Sequence, residues 1–184
     1  MSTNGKTVHS HMISVLVENQ FGVLSRISGL FAARGFNIDS LAVGETHDPT
    51  ISRITLVVRG EDRVIEQVQK QLNKLVEVIK VVNLTEIGDF VDRELMLVKI
   101  QAGLGKRTEV IEIANLFKAK TVDITTETLT LQIVGTQEKL HTFLQMLEPY
   151  TILELARTGR VALMRGATGL HSSIAPIATL RQAS

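Results

Sequence analysis

The chain has 184 residues, of which 44% are hydrophobic, and 20 basic against 19 acidic side chains leave a formal net charge of +1. This length fits one or two small domains, and the balanced charge disfavours a nucleic-acid-binding surface. With no cysteine in the chain, disulfides, zinc–thiolate sites and thiol nucleophiles are excluded. No stretch approaches the roughly 18–20 apolar residues of a membrane span, and residues 1–10 lack a signal-peptide core, so we expect a cytoplasmic protein without membrane contact.

Hydrophobic periodicity predicts six elements in the first half of the chain. They are a strand over 12–17, a helix over 23–34, strands over 36–45 and 51–59, a helix from 60 to about 74, and a strand over 76–84. Gly35 is expected to end the first helix in the left-handed conformation. The β-α-β-β-α-β order is the ferredoxin-like pattern.

The second half predicts the same order. A strand over 95–101 is followed by a helix over 108–118, strands over 122–125 and 128–134, a helix over 137–147 and a strand over 152–156, with a further edge strand over 160–165. The fold class is therefore α+β with two tandem ferredoxin-like domains, over 11–86 and 92–165. Residues 1–10 and 166–184 are interpreted as flexible tails.

Each such domain leaves one sheet face without helices and two sheet edges without a neighbour. Proteins often manage apolar faces and free edges by pairing with another chain. We therefore expect at least a dimer.

Candidates for catalysis are few. His9 and His11 could share one face of an extended segment, but the sequence offers no third metal ligand nearby. The segment 103–106, GLGK, is similar to the end of a phosphate-binding loop, but Arg107 stands where that loop needs Ser or Thr. We expect no catalytic residue and no metal site.

The segment 18–24, ENQFGVL, is the most informative one. Here a strand ends and a helix begins, so N–H groups at the helix start can attract a carboxylate. Asn19 can donate and accept a hydrogen bond at the same place. The pair Asn19 and Gly22 suits the carboxylate and ammonium of a free amino acid. The alternative is that both residues only shape the turn.

The segment 13–26, ISVLVENQFGVLSR, resembles the start of an ACT domain, specifically that of the regulatory small subunits of acetolactate synthase (acetohydroxyacid synthase). The resemblance continues through GLF at 29–31, RGFNI at 34–38, DSL at 39–41, DPTISR at 48–53, QLNKLV at 71–76 and RELMLVKI at 93–100. It covers about residues 11–165, in both halves and in order.

This resemblance implies a noncatalytic protein that binds a large, thiamine-diphosphate-dependent catalytic subunit and raises its activity. It also implies feedback inhibition by a branched-chain amino acid, usually valine, bound between paired ACT domains of a homodimer. The family's binding asparagine and glycine fall on Asn19 and Gly22, and its second asparagine, from the other subunit, falls on Asn37. The effector-binding positions, including neighbours that would line the pocket, are Asn19, Gly22, Val23, Leu24, Asn37 and Ile38.

The same resemblance places thiamine diphosphate, Mg and FAD on the catalytic subunit and no cofactor on this chain. In the second half, Gly103-Leu104-Gly105 replaces the asparagine-containing turn, so no effector site is expected there.

Three alternatives share the fold. An RNA-recognition module needs aromatic residues on its central strands, and 51–59 has none. A small phosphatase needs an arginine at the first loop, and Arg26 is predicted to face away from Asn19. A stand-alone amino-acid sensor would keep the effector site but lack the catalytic partner.

Overall fold

The structure is a computed structural model that describes residues 8–167, 169 and 170. The described residues group into two compact units, one formed by residues up to Val91 together with those from Ala162 onward, the other by residues 92–161. None of the described helices is long and apolar enough to cross a membrane.

The first unit contains the predicted βαββαβ order. Its elements are β1 (His9–Glu18), α1 (Val23–Ala32), β2 (Ile38–Glu45), β3 (Ile51–Gly60), α2 (Asp62–Leu72), β4 (Val78–Asn83) and a short helix, α3 (Leu84–Ile87). The strands form an antiparallel sheet in the order β2-β3-β1-β4, so β2 lies at an edge. Gly35 has a φ of 68°, which confirms the left-handed end predicted for the first helix.

The elements after α3 follow the same pattern. They are β5 (Phe90–Gln101), α4 (Arg107–Leu116), β6 (Lys120–Ile124), β7 (Thr128–Gly135), α5 (Gln137–Leu147), β8 (Ile152–Arg157) and β9 (Val161–Met164). The second sheet has the order β6-β7-β5-β8, and β9 pairs with β5 outside this path. The α+β class with two ferredoxin-like sheets is confirmed.

Each unit has its own core between one sheet face and two helices. In the first unit, alternate residues of β1 and β3 face stripes of α1 and α2, as in Ile13, Ile54, Ile27 and Ile65, which are at most 1% exposed. In the second unit, β5 and β7 pack against α4 and α5 in the same way. These contacts follow from the strand period of 2 and the helix period of 3.6.

The face of the first sheet opposite α1 and α2 was expected to stay open, but the structure shows side chains packed against it. Ala162 of β9 packs against Met12 and Val57 together with Leu84 of α3. Leu170 packs against residues of β1 and β3 and is 4% exposed. The chain itself covers this face, so pairing with another chain is not needed to bury it.

Three predicted boundaries are therefore corrected. Residues 162–165, predicted to belong to the second domain, group with the first unit. Leu170 is buried, although it lies in a segment predicted to be a flexible tail. At the other end β1 already begins at His9, whereas residues 1–7, 168 and 171–184 lie outside the described residues.

Candidate functional site

The turn between β1 and α1 presents an open helix start. Gly22 occupies the N-cap position with a φ of 83°, and no side chain caps α1. The first turn of α1 contains no acidic residue. The first N–H groups of a helix have no partner within it and carry partial positive charge, which favours a carboxylate at this position.

Asn19 is tied to the hairpin between β2 and β3. Its backbone N–H donates to the Thr50 carbonyl at 2.7 Å. Its side-chain Nδ2 donates to Glu45 Oε1 at 3.1 Å and to the Pro49 carbonyl at 3.0 Å. The turn is thus held in place by a loop that is distant in sequence.

Val23 and Leu24, predicted beside the effector, face different surroundings. Val23 is 4% exposed and packs in the core of the first unit, so only its backbone lies at the open helix start. Leu24 is 42% exposed and Phe21 is fully exposed. Leu24 and Phe21 are therefore exposed apolar side chains within this turn and the helix start that follows it.

Asn37 and Ile38 lie at the other end of β2. Asn37 is exposed and its Nδ2 donates to Asp39 Oδ1 at 3.0 Å. Asp39 also accepts a hydrogen bond from Arg59 Nε. Ile38 is half-buried against the core, so it presents only part of its side chain to the surface.

The structure does not bring Asn19 and Asn37 together within one chain. Asn19 contacts Glu45, the last residue of β2, whereas Asn37 precedes the first residue of this strand. A strand rises about 3.3 Å per residue, so the eight residues of β2 separate the two asparagines by roughly 25 Å. Both can contact one small ligand only if they come from different subunits.

Arg26 does not face away from the turn as predicted. Its Nη2 lies 3.8 Å from the position that a Cβ on Gly22 would occupy. It also forms an ion pair with Glu77 Oε1 at 3.1 Å, and the Glu77 carbonyl accepts the backbone N–H of Glu18. The long side chain folds back along α1, an orientation that the helical position alone does not reveal.

The two histidines weighed as metal ligands line a separate cleft of about 900 Å³ where β1 begins. His11 is 6% exposed, and its Nε2 lies 3.4 Å from Asp62 Oδ1. Within the part of the chain that the structure describes, no three His, Asp or Glu side chains are grouped so as to hold a metal ion.

Arg107, at the start of α4, has a structural role in the turn that precedes this helix. The Arg107 guanidinium donates to the Ala102 and Thr125 carbonyls, which fastens the turn to the β6–β7 connection.

Sequence reasoning did not single out Glu45 and Asp39, the two carboxylates that hold the asparagines. The Asn37-x-Asp39 spacing is a local signal for the second contact. Glu45 is 26 residues from Asn19, and the pairing of β3 with both β1 and β2 brings the two residues together.

Two family models match the chain, one in each half. Residues 13–80 match a model described as an AHAS small subunit-like ACT domain, and residues 93–166 match one described as the small subunit of acetolactate synthase.

Relatives of similar length give the same result. An acetolactate synthase small subunit from Mycolicibacterium smegmatis is 52% identical over 164 residues, which cover 89% of this chain and 96% of that protein. A probable acetolactate synthase small subunit from Archaeoglobus fulgidus is 49% identical over 156 residues, covering 85% and 97%. The crystal structure of the acetolactate synthase small subunit from Thermotoga maritima has a TM-score of 0.79 and 38% identity, and it covers 87% of this chain and 99% of that one.

Proposed function

Because the chain belongs to the family of acetolactate synthase small subunits, we propose that it is a noncatalytic regulatory subunit of this enzyme and confers feedback inhibition by a branched-chain amino acid, with valine as the first candidate. Family membership implies a large catalytic subunit as the partner. In this proposal the chain raises the activity of that partner, and both reside in the cytoplasm.

The observation that carries the effector site is the uncapped start of α1 beside Asn19. A carboxylate at a helix start gains ~0.3–1 kcal/mol from the helix dipole. The Asn19 Oδ1 in the same turn accepts hydrogen bonds, which suits an ammonium group. A free amino acid carries both groups on one carbon, and the exposed Leu24 offers apolar contact to a branched side chain.

The place of β2 supports a homodimer through the ACT domains. This strand is at the edge of the first sheet, with Asn37 before its start and the Asn19 contact at its end. In an antiparallel pair of two β2 strands about a two-fold axis, the start of each strand lies beside the end of the other. The partner's Asn37 would then come beside Asn19 of this chain and complete the site.

An effector held between two subunits favours the dimer arrangement that it fits best. Coupling of this kind is typically worth about 1–3 kcal/mol and is passed to whatever the dimer contacts. Thiamine diphosphate, Mg and FAD belong on the catalytic subunit in this scheme. A stand-alone sensor would account for the match over 13–80 but not for the small-subunit match over 93–166.

The decisive experiment reconstitutes the chain with an acetolactate synthase large subunit and measures acetolactate formation against valine, leucine and isoleucine. Asn19→Ala and Asn37→Ala each remove a hydrogen bond to a charged group, worth ~1.5–3 kcal/mol. We expect a roughly 10- to 150-fold weaker effector response, at 1.4 kcal/mol per tenfold. Activation of the large subunit should survive in both variants, and the chain alone should form no acetolactate.

The matched control is Asn73→Ala, since Asn73 also donates through Nδ2, but to the Gln69 carbonyl at the end of α2. It should leave the effector response unchanged. Unchanged inhibition in both site variants would show that the site is misplaced. Loss of activation together with inhibition would show that sensing and activation are not separable.

A further inference from the structure

The two proposed effector-binding asparagines share one arrangement. Each donates a hydrogen bond from Nδ2 to a carboxylate, Asn19 to Glu45 at 3.1 Å and Asn37 to Asp39 at 3.0 Å. None of the described residues donates to the Oδ1 of either asparagine. Both side chains thus keep an acceptor oxygen available to a ligand.

The carboxylates decide which end of each amide is available. An ionised carboxylate only accepts hydrogen bonds, so the amide nitrogen has to face it and the amide oxygen has to face elsewhere. At Asn19 the constraint is complete, because Nδ2 has two hydrogens and the Pro49 carbonyl takes the second one at 3.0 Å. Toward a ligand, Asn19 can therefore only accept.

Asp39 is itself held in place. Its second oxygen accepts a hydrogen bond from Arg59 Nε on the neighbouring strand β3, while its first oxygen holds Asn37. The backbone N–H of Asn19 is fixed to Thr50 in a comparable way. Both amides are supported by groups that belong to the β2–β3 hairpin.

We propose that Glu45 and Asp39 are positioning residues that aim both asparagine oxygens at the effector, so that the site selects an α-ammonium group and rejects the corresponding 2-oxo acid. This rests on the effector site proposed above. An ammonium group has three N–H donors for the two oxygens. A 2-oxo acid offers only acceptors, so both asparagine oxygens would be left without a partner in the complex.

The test measures binding to the full chain by calorimetry, with valine and with 3-methyl-2-oxobutanoate, which has the same carbon skeleton without the ammonium. The wild type should bind the 2-oxo acid at least about 100-fold more weakly than valine. Glu45→Ala removes one of the two acceptors that hold the Asn19 amide and leaves only the Pro49 carbonyl, so the amide orientation is less firmly fixed. Valine should then bind roughly tenfold more weakly, a loss of ~1.4 kcal/mol of binding free energy. The ratio of the dissociation constants of the 2-oxo acid and valine, the affinity gap, should become smaller.

Glu18→Ala is the matched control, because Glu18 belongs to the same turn and its carboxylate holds Gln20 at 2.7 Å rather than an asparagine. It should change neither affinity. If Glu45→Ala lowers the melting temperature of the protein, Glu45→Gln is used as the test variant instead. Glutamine both donates and accepts, so it no longer imposes one amide orientation, and the gap should narrow again.

A double variant separates positioning from a general structural effect. In an Asn19→Ala background Glu45 has no amide to orient, so Glu45→Ala should cause no further loss of valine affinity. Asp39→Ala should behave in the same way toward Asn37→Ala. Equal losses in both backgrounds would overturn the positioning role and leave the effector site standing. Failure of the wild type to bind valine, leucine or isoleucine would overturn the effector site and the positioning role with it.

Discussion

Gly22 has a left-handed backbone conformation at the turn of the proposed effector site. Its φ of 83° lies in the left-handed region, which costs a residue with a Cβ about 1–2 kcal/mol unless it is Asn or Asp. A Cβ here would meet only the Arg26 guanidinium within 4 Å, so space alone does not require glycine. The backbone conformation favours glycine at this position, and in the proposed site the close approach of an effector carboxylate would favour it as well.

We predict that Gly22→Asp abolishes feedback more completely than Asn19→Ala, because a fixed negative charge would stand beside the effector carboxylate. The new carboxylate could also draw Arg26 away from Glu77, with which it now pairs at 3.1 Å. Gly22→Asn is the control, since asparagine has nearly the same size and tolerates the same φ without the charge. Inhibition curves on the reconstituted enzyme should show that sensitivity to the effector decreases from wild type to Gly22→Asn and further to Gly22→Asp. Equal curves for the two variants would contradict the role of charge.

Among the elements, β9 and the residues after it decide how the first sheet is covered. Ala162 is 3% exposed against Met12 and Val57, and its carbonyl accepts a hydrogen bond from Arg53 Nη1 at 3.3 Å. Burial lowers the pKa of the Arg53 guanidinium, which is consistent with its lying under this segment. The helix-free face of the first sheet is therefore covered in part by β9, which is distant from this sheet in the sequence.

Substitution within β9 tests this cover. Ala162→Asp would bury a charge among apolar side chains, and we expect it to lower the free energy of unfolding by more than ~3 kcal/mol. Leu163→Asp is the matched control, because the next residue of the same strand is 55% exposed and should change stability by at most ~0.5 kcal/mol. Urea unfolding of both variants gives the comparison. Equal stability of the two would mean that β9 does not cover the sheet in solution.

At the scale of the whole molecule, the first sheet has apolar side chains packed on both faces of β1, β3 and β4 and keeps β2 as an edge. For the first sheet, the expectation of a dimer therefore depends on strand pairing, whereas the second sheet keeps Leu97 and Val134 exposed on the face opposite its helices. Edge strands with unpaired N–H and C=O groups pair readily, and lysines on them resist pairing. Val43 of β2 is 48% exposed, which suits a position near such an interface.

We expect the wild type to sediment as a dimer at micromolar concentration and Val43→Lys to shift it toward monomer, because a charged lysine on an edge strand opposes pairing of that strand with another one. Leu116→Lys is the control, since Leu116 is 78% exposed but is the last residue of helix α4 and belongs to neither sheet. It should remain a dimer and keep feedback inhibition, whereas Val43→Lys should lose inhibition together with the dimer. A wild-type monomer, with or without effector, would remove the proposed site.

The sequence alone determined the two βαββαβ repeats and nearly all of their elements, because strand and helix periods are local properties of the chain. The helix α5, for example, has the predicted bounds of 137–147. Family motifs singled out Asn19 and Asn37, which the structure places directly after β1 and directly before β2.

Only the tertiary structure decided which surfaces those elements present. Local periodicity does not say what covers a sheet face, so the burial of Ala162 and Leu170 was not foreseen. It likewise gave no sign that Arg26 folds back to the turn or that Glu45 reaches Asn19 across 26 residues. Such contacts arise from strand pairing between distant segments, where a register such as Glu45 opposite Ser52 brings side chains together independently of their spacing along the chain.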